Sequence, residues 1–329
     1  MNQTKKKNPL KRLLSMRGMG QVVTVTIGLI VLLVAFALIN PNFWSPTNRT
    51  NLLRQIAPIL IIGIAQSYVL ITGNIDLSIG SVVGMSTMVA ATLMSKGIMS
   101  PIPALLVTLL CCLLIGVLNG LLVAKFKLPP FIATLGTMTV ARGIAQLVNG
   151  NYNTDSIMKF YPEAAQTFKN VFYYGKTLGL YNGIWIAIIL WIVFNFLLSK
   201  TRTGRYIYAT GSNIDAARLS GVNVVSTTVI AYVVSAFCSF VVGIITCATV
   251  GQGTMDAGNS YEMYAVAASV IGGVSTLGGQ GILLGTVVGA AIWGTLQNGL
   301  QFAGAPVAIR NIIIGIIVVP VSYTHLTLP

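Results

Sequence analysis

Long apolar runs separated by short polar stretches set the pattern of this chain. They cover residues 22–38, 56–71, 82–93, 104–124, 131–147, 184–198, 229–250, 261–274 and 283–302, and a last run from Ile309 ends at Pro320. Several approach or exceed the ~18 apolar residues that a bilayer-crossing helix needs. The pattern predicts an all-α, polytopic membrane protein with about ten membrane segments.

One polar interruption stands apart. In Gly73-Asn-Ile-Asp-Leu-Ser-Ile-Gly80, Asp76 and Ser78 lie between two apolar runs and between glycines. A carboxylate at bilayer depth is costly, so it faces a protein interior or a wet cavity. The glycines predict a broken helix, tolerated where its freed backbone groups meet protein or water, and transporters build sites from such breaks. A short cytoplasmic turn between two helices is the alternative. The pattern Gly73-x-x-x-Leu77-x-x-Gly80-x-x-x-Gly84 returns, with one residue inserted, as Gly273-x-x-x-Leu277-x-x-x-Gly281-x-x-x-Gly285. This weak internal repeat points to a central pathway between two halves, although small-residue packing explains the glycines equally well.

Composition agrees with the pattern. The chain is 55% hydrophobic and 8% charged, with mean hydropathy +0.82, whereas soluble domains carry about 25% charged residues. A formal charge of +14 would suit nucleic acid, but the basic residues sit in short loops. Orientation by the positive-inside rule is the better reading, and no nucleic-acid partner is expected. Residues 1–20 read as a basic cytoplasmic tail and 21–319 as the transmembrane domain. No Ala-x-Ala-like site follows the first run, which argues against a cleaved signal peptide.

Alternation from a cytoplasmic N-terminus puts Lys125, Lys127, Lys200, Arg202, Arg205 and Arg218 inside. It puts Arg49, Arg54, Lys96, Lys159, Lys169, Lys176 and Arg310 outside, and leaves Arg142 within a span. The 149–182 stretch becomes an external loop, with Phe160-Tyr161 and Phe172-Tyr173-Tyr174 suited to an interface. Its Gly175-Lys-Thr177 lacks the earlier glycine of a phosphate-binding loop, since position 170 is Asn. Cys111, Cys112, Cys238 and Cys247 lie in apolar segments without a Cys-x-x-Cys pair, and His325 has no ligand partners nearby in sequence. Neither metal nor cofactor is expected.

The intramembrane polar residues Asp76, Ser78, Asn119, Arg142, Glu262 and Asn298 are the pathway candidates. Each could instead tie one helix to another. Arg142 could pair with Asp76 or Glu262 and offset the cost of isolated charge. A membrane enzyme using Asp76 and Glu262 as acid and base is disfavoured, because no His or Cys accompanies either.

The basic stretch 200–225 reads as helix-forming. Ser212 or Asn213 can cap, Asp215 suits a first turn, Ala216-Ala-Arg-Leu219 favours helix, and Gly221 can end it. A short exposed helix between two spans is well placed to be pushed by a soluble partner; an ordinary orienting loop is the alternative.

Several segments together resemble the permease subunit of bacterial ABC importers for monosaccharides, the ribose, galactose and xylose group. They are residues 73–81, Pro130-Phe-Ile-Ala-Thr-Leu-Gly-Thr-Met138 with Arg142-Gly143, and Thr203-Gly-Arg-Tyr-Ile-Tyr-Ala209 through Asn213 to Asn223. Tyr261-Glu262, Gly272-Gly-Val-Ser275 and Asn298-Gly-Leu300 complete a set that runs in the family's order over nearly the whole chain. The resemblance implies a permease domain without chemistry of its own, working by alternating access in the cytoplasmic (inner) membrane of a bacterium. It implies a cytoplasmic ABC ATPase, an extracytoplasmic sugar-binding protein and a second permease copy or a paralogue as partners, besides membrane lipid. It also implies that Gly204, Asn213, Ala216, Ala217, Arg218 and Gly221 mark the coupling helix that docks on the ATPase. Related permeases for nucleosides or branched-chain amino acids, and a lone proton-driven carrier, are the rival readings. From Pro320 to Pro329 the sequence departs from the family, which continues the span into a short basic tail, so these residues read as non-native or truncated.

Overall fold

The computed structural model describes residues 19–306, 308–310, 312–313 and 315–316. The basic tail as far as Gly18, most of the run from Ile309, and the 320–329 segment with His325 lie outside the described residues.

Twelve helices can be followed among the described residues. They are α1 (Met19–Ile39), α2 (Pro46–Ile71), α3 (Ile79–Ser95), α4 (Pro101–Ala124), α5 (Pro130–Leu147), α6 (Pro162–Lys169), α7 (Asn182–Lys200), α8 (Arg202–Ser212), α9 (Ile214–Leu219), α10 (Val224–Val250), α11 (Tyr261–Ile271) and α12 (Leu283–Phe302). A 3-10 turn joins α1 to α2, and a π-helical turn, Asn170–Tyr174, follows α6. The strand content described is one two-residue hairpin, Lys176–Thr177 with Leu180–Tyr181. The chain is an all-α, polytopic membrane protein. Helices α1, α2, α4, α7 and α10 are long and apolar enough to cross a membrane, and α3 and α11 are apolar but shorter.

Local chemistry sets the helix ends. Proline occupies the first turn of α2, α4, α5 and α6, where its missing N–H costs nothing. Asn223 Oδ1 accepts from the Ser226 N–H at the start of α10, and Gly251 ends that helix at φ 78°. Helix α10 is the central post, packed on α2, α3 and α4, while α11 and α12 pack on α2 and on each other. Helices α5, α7 and α1 lie further out against α3, α2 and α12.

Two helices begin inside the bundle. After α2 ends, residues 72–78 run back without helix, and Asp76 meets Ser235 of α10. Ser235 is eleven residues into α10, about 16 Å from its start at the rise of an α-helix. Beyond the far end of α10, residues 251–260 fold back along α3. A Cβ on Gly253 would crowd Met88 and Ala91, the Ala257 carbonyl approaches Gly84, and Gly258 packs on Gly80. Helix α11 starts there. The N-termini of α3 and α11 therefore meet at mid-depth, and the two helices leave toward opposite ends.

Candidate functional site

Each half-helix carries one of the six acids at its start, where the helix dipole favours negative charge. Asp76 is 3% exposed. Its Oδ1 accepts from the Ser78 N–H (2.8 Å) and Oγ (2.6 Å), and its Oδ2 accepts from Ser235 Oγ (2.7 Å). The Tyr232 hydroxyl donates to the Ile75 carbonyl at 3.0 Å, so α10 grips the break at two points. The chain of bonds continues outward. Asn119 Nδ2 of α4 donates to Ser78 Oγ (3.0 Å), and Thr137 Oγ1 of α5 donates to Asn119 Oδ1 (2.6 Å). Four elements, the break with α4, α5 and α10, share one buried network with Asp76 near its centre, where a protein interior surrounds the carboxylate.

Glu262 lies in the first turn of α11, and a Cβ on Gly80 would overlap its carboxylate and the Gly258 carbonyl. Arg142 is not ion-paired with Asp76 or Glu262 among the described residues. Its Nη1 donates to the Met255 and Ala257 carbonyls at 3.2 and 2.9 Å, and so clasps the returning segment against α3. Asn298 forms a reciprocal amide pair with Asn48 (2.9 and 3.1 Å), a contact between α12 and α2.

The repeat glycines divide into two kinds. Gly73, Gly273 and Gly281 have positive φ in the breaks. Gly80, Gly84 and Gly285 sit on helices where other backbone or side-chain atoms come close. The two breaks touch: Gly279 N–H donates to the Ile71 carbonyl at 2.9 Å, and a Cβ on Gly278 would stand 2.8 Å from the Gly73 Cα.

The 200–225 stretch lies on this junction. A Cβ on Gly211, in the last turn of α8, would overlap the Ile71 carbonyl and crowd Gly279, and Ser212 packs on Gly279. Tyr208 OH donates to the Gly281 carbonyl at 2.6 Å. Gly204 fits the corner between α7 and α8 against the Leu198 carbonyl. Asn213 Oδ1 caps α9, accepting from the Asp215 and Ala216 N–H groups, and Gly221 closes the turn at φ 82°. Ala217 is buried, the Arg218–Asp215 ion pair (3.4 Å) is exposed, and Leu219 stands 90% exposed.

Ser235, Tyr232 and Gly278 escaped the sequence reading, and Thr137 and Gly211 entered it only inside longer segments, with no role of their own. Each is a small or amphipathic residue in an ordinary run, and its role depends on a partner at least 18 residues away in the chain. Only the apposition of the two repeat patterns hinted at a junction.

The fold and this site define a polytopic permease built on broken helices. A family model described as branched-chain amino acid transport system / permease component matches residues 48–322. A ribose import permease of Haemophilus influenzae is 40% identical over 84% of each chain, and one of Bacillus subtilis is 35% identical over 89% of this chain and 88% of its own. A D-allose transport system permease of Escherichia coli is 30% identical over 87% and 86%. No solved structure matches the chain. The chain belongs to this family of import permeases: it is a multi-pass inner-membrane transport subunit of the ABC importer class, not a catalytic enzyme.

Proposed function

We propose that this protein is the membrane-spanning subunit of an ATP-driven importer for a monosaccharide, a ribose-like pentose or a hexose. Its relatives are named for ribose, allose and galactose transport, which supports a sugar over an amino acid. The N-terminus and the α8–α9 segment lie in the cytoplasm, and residues 149–182 lie outside. ATP hydrolysis belongs to a separate ATPase, sugar arrives from an extracytoplasmic binding protein, and a second permease copy or a paralogue completes the pathway.

The observation that carries this reading is the placement of α8 and α9. A capped helix with an exposed leucine projects from the bundle, and the helix before it packs directly on the end of α2 and on the second break. A push on α9 therefore reaches the end of α2 and the second break through α8. Asp76, Ser78 and Asn119 anchor the first break, Arg142 holds the returning segment, and Glu262 starts the second half-helix. Asn298 ties α12 to α2.

The test is uptake into vesicles. Chain, ATPase and binding protein together should concentrate D-ribose or another monosaccharide with ATP, and the chain alone should neither hydrolyse ATP nor concentrate sugar. Uptake by the lone chain on a proton gradient would overturn the reading. The family description names branched-chain amino acids, so ATP-driven uptake of L-leucine with no sugar uptake would favour that second assignment.

A further inference from the structure

A cavity of about 330 Å³ opens between α2, α10, α11 and α12, beside the π-helical turn at Tyr173. Its size falls at the lower end of small-molecule sites. The walls combine the amides of Gln55 and Gln297, the hydroxyls of Thr246 and Thr249, and the rings of Tyr261 and Tyr264. Thr246 and Thr249 donate to carbonyls of their own helix at 2.8 and 2.7 Å, which leaves their oxygens as acceptors toward the cavity. Among the described residues, no hydrogen bond occupies the amides of Gln55 or Gln297 or the hydroxyls of Tyr261 and Tyr264. Pro58, also in the wall, has no N–H to offer the Arg54 carbonyl one turn earlier.

The charged group in the lining, Arg54, is held by stacking, and among the described residues its Nε has no hydrogen-bond partner. The Arg54 guanidinium lies between the rings of Tyr173 and Tyr181, 4.3 and 4.2 Å from their centroids. Such stacking is itself a favourable use of the cation. The remaining lining is neutral, rich in donors and acceptors, and backed by a ring stack of Tyr261, Tyr264 and Trp293 with centroid spacings of 5.5 and 5.3 Å. Rings that meet C–H faces, beside amides that meet hydroxyls, suit a neutral polyol.

A second observation gives the cavity a direction. Gln55, Ile59, Ile62 and Gln66 follow i, i+4, i+7 and i+11, one face of α2. Gln55 and Ile59 line the cavity. Gln66 is fully buried, and neither its Nε2 nor its Oε1 has a hydrogen-bond partner. An orphaned buried amide is costly. It lies about 16 Å further along the face that the cavity exposes.

We infer that this cavity is a monosaccharide-binding station in the outer half of the protomer, with Gln55, Gln297 and Tyr264 as its hydroxyl-binding groups and Gln66 as the next polar contact inward. The assignment rests on the sugar-importer reading and on the proposed orientation. It separates substrate contact, on the outer face of α2, from the Asp76 network that sets the break.

The test is protection from alkylation in the assembled importer. With Cys111 replaced by Ser, Val250→Cys, an exposed lining position with no hydroxyl-binding role, should react with a small polar maleimide. D-ribose at ten times its Kd should slow that reaction about tenfold, by occupancy alone. Leu178→Cys, exposed and away from the cavity, should react equally with and without D-ribose. Adding Gln297→Leu should leave assembly with the ATPase intact yet abolish both D-ribose protection at position 250 and most uptake, and Gln297→Asn should restore part of each. If uptake of D-ribose is normal but Val250→Cys is unprotected and Gln297→Leu transports normally, the cavity assignment fails and the importer reading stands. If L-leucine protects, D-ribose does not, and only L-leucine is taken up, both fail.

Discussion

The two breaks of this permease occupy matching places in the repeat but are built differently. The first, residues 72–78, is held by side chains: a buried carboxylate, two serines, an asparagine and a tyrosine fasten it to α4, α5 and α10. The second, residues 272–282, relies on glycines and backbone. Its fixings include Ser275 N to the Gln280 carbonyl, Gly279 N to the Ile71 carbonyl, and Tyr208 OH to the Gly281 carbonyl, and Leu277 stands 77% exposed. Breaking the first leaves buried polar atoms unsatisfied, whereas the second can deform with little loss. Two of the contacts of the second break come from α8 or from the end of α2 beside it. The first break is the anchor and the second the yielding element that follows the coupling segment.

The largest effect is expected at their junction. Gly211→Leu would drive a side chain into the Ile71 carbonyl and Gly279. ATP-driven uptake should be nearly lost while the chain still inserts, as membrane fractionation and an uptake assay would report. Retained uptake would mean that α8 and the breaks are not in rigid contact.

Next comes the anchor itself. Asp76→Ala strips the acceptor from Ser78 N–H, Ser78 Oγ and Ser235 Oγ, and a buried donor left unsatisfied costs about 1–3 kcal/mol. The thermal midpoint of the purified protein in detergent should fall by many degrees, with Asp76→Asn falling less. A smaller step is Ser235→Ala, which removes one interhelical bond. Such bonds in membranes average about 0.6 kcal/mol, so a shift near the limit of detection is expected. At the yielding break, Leu277→Ala should change stability by no more than about 0.5 kcal/mol, as for other exposed positions. A loss at Leu277 comparable to that at Asp76 would erase the contrast.

Much of this was legible in the sequence. Apolar runs located the membrane helices, since burial in lipid or protein demands them, and glycines flanking Asp76 located the first break. Asn213, Asp215 and Gly221 spelled out α9, because capping is local chemistry. Three things were not legible. The partner of Asp76 is Ser235, 159 residues away, and a lone serine in an apolar helix carries no sign of its target. Arg142 suggested an ion pair, yet backbone carbonyls of a returning segment satisfy it. That return, residues 251–260, reads only as a polar loop, because its descent along α3 is fixed by tertiary contact with Gly80 and Gly84. The same limit hid the cavity: Gln297 is adjacent to Asn298 in sequence, but the helix turns one toward the cavity and the other toward Asn48.

If the second break follows the coupling segment, it travels with α8. Spin labels at Tyr206 on α8, Leu277 in the second break and Tyr152 at the opposite end all take exposed positions. Distances should be measured by pulsed electron resonance in the importer assembled with its ATPase, nucleotide-free and ATP-trapped. The 206–277 distance should hold while the 152–277 distance shifts between states. A 206–277 distance that changes as much as the 152–277 distance would mean that the second break moves independently of α8.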